Sequence, residues 1–198
     1  MHHQGHSWGQ AMSNSEEDAQ KMRWRGRATL AAFCLLVAAS AMTWVVIPHL
    51  PTAYTCAFRD TPALRWLWPG NQATYNQISQ WHGTLNDQCN LFSTRSMLSV
   101  FFATFSIFFY ITSLSKAQIT MKTGPVITTL VMAFMIVGLF SGGFNDQATG
   151  RGAWAAYHTT DSTNVLLWKT LPRMFAIYIF GPVWITHLRV AWLQQSSV

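Results

Sequence analysis

Two of the three cysteines, Cys56 and Cys89, share the polar interval from Pro48 to Arg95, which lies between two apolar blocks. Cysteines held together on an oxidising side of a membrane are expected to form a disulfide rather than stay free or bind metal. Closing a loop of this length contributes on the order of 3 to 4 kcal/mol. No CxxC pair is present, so thiol-redox chemistry has no motif to rest on. Cys34, inside the first apolar block, reads as a small packing residue.

Histidine and carboxylate chemistry is thinner. His49 and His187 are the histidines near membrane depth, and the expected topology puts them on opposite faces, which separates them as ligands of one haem iron. His49, His82, Asp60, Asp87, His158 and Asp161 fall on one side, but their spacing lacks the compact pattern that zinc or copper sites use. Hydrogen bonding and packing around the loops is the expected role of this set, and His82, beside Trp81, is its foremost member. His2, His3 and His6 lie in a polar tail with no fixed geometry. No catalytic residue, no metal site and no cofactor beyond structural lipid is read from these residues.

The same interval is rich in large aromatics, including Tyr54, Phe58, Trp66, Trp68, Tyr75 and Trp81. Such side chains bury much area while keeping a polar edge, so Trp66, Trp68, Trp81 and His82 are candidate interface residues. Packing between two external loops would use them equally well. Gly138 and Gly142, a GxxxG pair, are candidates for close helix contact.

The elements that must position these residues are apolar. Half of the chain is hydrophobic and 10% is charged, against about 25% charged in ordinary soluble domains. The charge is missing in blocks long enough to cross a bilayer, at about 28–47, 97–114, 125–144 and 171–188. The expected fold is therefore an all-α membrane protein, four transmembrane helices with two non-cytoplasmic loops, occupying residues 28–193. A flexible cytoplasmic segment, 1–27, precedes it; 48–96 is the large external loop and 194–198 a tail. In the last span, Pro182 predicts a kink near Ile179 to Gly181.

The net charge of +6 owes much to Lys21, Arg23, Arg25 and Arg27, directly before the first apolar block. At that position basic residues set orientation, placing both termini in the cytoplasm, and nucleic acid is not the expected partner. The interior of the expected spans holds no acidic residue, which weakens an ion-coupled transporter.

A short cytoplasmic amino terminus, a large first external loop, a tight turn and a smaller second loop resemble the claudin-like four-span proteins. Trp44 and Trp68 fall where that family carries its two loop tryptophans, although here Trp68 lies between Cys56 and Cys89. The resemblance implies an adhesion, barrier or channel-modulating role. Ser196 and Val198 are similar to a PDZ-domain ligand and imply such a partner. The residues themselves favour a non-catalytic accessory or assembly subunit among other integral membrane subunits and lipids. A small membrane oxidoreductase or transporter is the remaining alternative.

Overall fold

A computed structural model describes residues 5–67, 69–114, 129–130, 132–133, 143–150 and 156–195, with backbone alone for 5–18, 65–67, 69–71, 113–114 and 191–195. Helix α1 runs over Gly5–Val46 and closes in a 3-10 turn, Ile47–His49, at the rigid φ of Pro48. Three short helices follow: α2 (Thr52–Asp60), α3 (Pro62–Leu67) and α4 (Pro69–Asn76). Two of these open on proline, whose missing N–H costs nothing in a first helical turn.

Helix α5 spans Leu85–Phe109 and continues as a π-helical turn to Leu114. Its start is encoded locally. The Thr84 hydroxyl accepts from the Asp87 N–H, and the Asp87 carboxylate accepts from the Thr84 N–H, satisfying two otherwise orphaned donors. Helix α6 (Thr163–Phe175) is capped by Ser162 and passes through a π-helical turn, Ala176–Phe180, into α7 (Gly181–Gln195). The widened turn ends at the Gly181-Pro182 step, where the missing proline N–H interrupts the helical ladder.

Helix α5 is the central element, packed on α1, α2 and α6. Every residue from Cys89 to Ser96 is buried. One apolar cluster joins Leu36 of α1, Leu98, Phe102 and Phe105 of α5, and Met174 of α6. A second, nearer the loops, gathers Trp81, Leu91, Tyr157, Leu166 and Leu167.

The four-transmembrane-helix fold is corrected by this arrangement. Among the described residues, two helices are long and apolar enough to cross a membrane, Ala19–His49 and Leu85–Thr112. The expected span 171–188 falls on α6, the π-helical turn and α7, which are not among those two, and its Met174 is fully buried against the other helices. The expected span 125–144 falls almost entirely outside the described residues. The claudin-like resemblance, which rested on four spans, falls with it. The expected external loop is also no open loop: α2, α3 and α4 occupy it, and α5 begins at Leu85 rather than at Met97.

Candidate functional site

The polar ends of the helices meet in a clasp of three segments, 77–84, 143–149 and 156–162. Gln77 accepts the Phe144 N–H through Oε1 at 2.7 Å. A Cβ at Gly143 would lie 2.6 Å from that same oxygen, so a side chain there would displace the Gln77 amide from this bond. The Asn145 N–H donates to the Tyr157 carbonyl at 2.7 Å. Trp81, 5% exposed, donates its indole N–H to the Asp161 carbonyl at 2.8 Å.

Two carboxylates hold the clasp, Asp161 on its partly buried side and Asp146 on its exposed side. Asp161 accepts from Lys169 Nζ at 2.6 Å and from the His158 N–H at 2.9 Å, while Lys169 also donates to the Ala156 carbonyl at 2.7 Å. Asp146 accepts from both the N–H and the hydroxyl of Thr159, at 2.7 and 2.8 Å. Those two bonds, assisted by the nearby His158 and His82, hold the Asp146 carboxyl below the usual aspartate range.

Beneath the clasp sits a buried cationic centre. Arg95, 1% exposed, places its guanidinium carbon 5.3 Å from the ring centre of Tyr157 and 5.9 Å from that of Phe92. The guanidinium of Arg173 lies 4.1 Å from the same Tyr157 ring. Cations over aromatic faces are attracted by the ring quadrupole, which offsets part of the cost of leaving water. The Tyr157 hydroxyl is 2.9 Å from that of Thr170 and so stays paired. Arg95 Nε and Nη2, by contrast, are buried with no hydrogen-bond acceptor among the described residues.

The expected site residues scatter across this arrangement. Cys56 and Cys89 are bonded, joining α2 to α5, where Ser93 Oγ also donates to the Thr55 carbonyl at 2.6 Å. Trp81 is an internal packing residue of the clasp rather than an exposed interface, and His82 beside it is exposed, donating its backbone N–H to Thr159. The side chain of Trp66, all of Trp68, Gly138, Gly142 and the terminal Ser196–Val198 lie outside the described residues. Lys21, Arg23 and Arg27 are exposed on α1 and Arg25 is half-buried.

His49 and His82 are exposed; Asp60 pairs with Arg59 at 3.0 Å, Asp87 caps α5, and Asp161 holds Lys169. Among the described residues no three His, Cys, Asp or Glu side chains gather as a metal site. Nothing in the sequence marks Arg95 as buried, because its charge reads there as one more loop cation. No protein-family model matches the chain, and no curated protein or solved structure is significantly similar to it.

Proposed function

We propose that this chain is a membrane-embedded, non-catalytic accessory subunit that contributes packing and stability to a larger integral membrane assembly. The observation that carries this reading is the bareness of α1. Within Ala19–His49 only 17% of the apolar window is buried, and Leu35 is 70% exposed, Met42 66% and Val45 63%. A continuous apolar surface of this size is unfavourable in water and is expected to be covered by lipid and by partner helices. Grooves beside α1 extend it; one of about 560 Å³ is lined by Phe33, Trp44, Phe102, Trp168 and Phe175 among others.

In this reading α1 and α5 cross the bilayer in opposite directions, with α2 and the Cys56–Cys89 bond on the non-cytoplasmic side. The basic run before Ala28 then faces the cytoplasm.

The test is purification of the tagged full chain from membranes in mild detergent. Resistance to alkaline carbonate extraction and recovery with stoichiometric integral membrane subunits support the proposal. A chain released with the soluble fraction overturns its membrane half. An active monomer carrying haem or quinone overturns its accessory half.

A further inference from the structure

The geometry points to an anionic phospholipid bound along the α1–α5 face, with an acyl chain in the groove and its phosphate on Arg25 and Arg27; this rests on the membrane reading above. The groove has a volume of about 470 Å³. Its α1 wall carries four alanines, Ala28, Ala31, Ala32 and Ala39, beside Leu35 and Leu36, and its α5 wall is mostly phenylalanine, including Phe101 and Phe105. Small side chains facing large rings leave a channel between two helices without parting them. The hydroxyl of Thr104, the groove's polar side chain, donates to the Val100 carbonyl at 2.8 Å, so the lining presents an apolar surface.

Charge complementarity selects the occupant. Arg25 precedes Ala28 by three residues and Arg27 precedes Ala31 by four, so both cations sit on the stripes that continue the alanine wall. Arg25 is half-buried, while Arg23 and Arg27 are exposed. The nearest carboxylates on the same element, Glu16, Glu17 and Asp18, lie on the far side of the basic run, and none occurs again before Asp60. Guanidinium groups bind phosphate oxygens in a matched fork geometry, and a basic cluster at a span end attracts anionic lipid. Alongside, Thr29 and Thr112 approach to 3.5 Å, holding α1 and α5 together at this end of the groove.

The test uses the full-length chain in detergent, equilibrated with equal phosphatidylglycerol and phosphatidylcholine, with retained lipid read by native mass spectrometry. Wild type should be enriched in phosphatidylglycerol by roughly tenfold. The double variant R25Q/R27Q should fall to near parity while remaining resistant to carbonate extraction. A31L, which narrows the groove at an exposed position, should reduce the number of lipids retained.

Equal retention of both lipids by wild type overturns the proposal, as does enrichment that survives R25Q/R27Q. Occupation of the groove by a co-purifying helix, seen as cross-linking from A31C to protein instead of lipid, also overturns it. Failure of the membrane reading itself is distinct, since a chain released by carbonate would retain neither lipid.

Discussion

Trp81 and Asp161 stand 80 positions apart in the chain, yet the indole N–H of one meets the backbone carbonyl of the other at 2.8 Å. That bond joins the segment before α5 to the segment before α6. Gly83 folds back over the same ring, so closely that a Cβ there would approach it to 2.7 Å.

Replacing Trp81 separates the bond from the packing. Trp81→Phe keeps most of the apolar volume and loses the hydrogen bond, for an expected cost of about 1 to 2 kcal/mol. Trp81→Ala also opens a cavity and should cost about 3 to 5 kcal/mol. Thermal unfolding in detergent measures both, and equal losses for the two variants would show that the hydrogen bond, not the ring, carries the stability.

Removing the disulfide should loosen α2 from α5. Cys56→Ser with Cys89→Ser is expected to cost about 2 to 5 kcal/mol. The Ser93–Thr55 bond and the Thr52–Asn86 bond at 2.9 Å remain to hold α2 in place, so unfolding temperature should fall with the native arrangement kept. Peptide mapping without reductant should recover the Cys56–Cys89 linkage from wild type; its absence there would refute the pairing.

Acid should loosen the clasp through Asp146. Its carboxyl is held below the ordinary aspartate value by the Thr159 N–H and hydroxyl, so the ionised form is bound more tightly in the folded state. The resulting contribution is complete above the unfolded value, about 3.9, and is lost as pH falls through the lower folded value. Hydrogen exchange at the Thr159 amide should quicken over that acidic window. In Asp146→Asn the exchange should be fast already at neutral pH and lack this acidic step.

What the sequence made legible was the chemistry that acts locally. Cys56 and Cys89 share one polar interval, and the apolar run of α1 is continuous, so the bond and the membrane-length helix could be read directly. The start of α5 was hidden by its polar residues Ser93, Thr94, Arg95 and Ser96, which resemble loop. Hydroxyls are cheap to bury on a helix when they bond to backbone, as Ser99 does to the Arg95 carbonyl at 2.9 Å. The Thr84–Asp87 capping box was the signal that marked the true start. The aromatic cradle of Arg95 had no such signal, because Tyr157 comes from a segment distant in sequence and nothing short-range brings the two together.

Arg95 tests whether a buried charge is kept for stability. The side chain fills space between Phe92 and Tyr157, and its Nε and Nη2 find no acceptor among the described residues. Attraction to two rings recovers only part of what is lost on leaving water. Arg95→Met keeps most of the volume and removes the desolvated charge, so stability should be unchanged or higher by about 1 to 3 kcal/mol. Arg95→Ala empties the site and should lower stability by about 2 to 4 kcal/mol. Denaturant unfolding of both variants in detergent decides the matter. If Arg95→Met loses as much as Arg95→Ala, the guanidinium itself stabilises the packing of α5 on Tyr157. If Arg95→Met is the more stable protein, the charge is retained against its energetic cost, and its reason lies outside the folding of this chain.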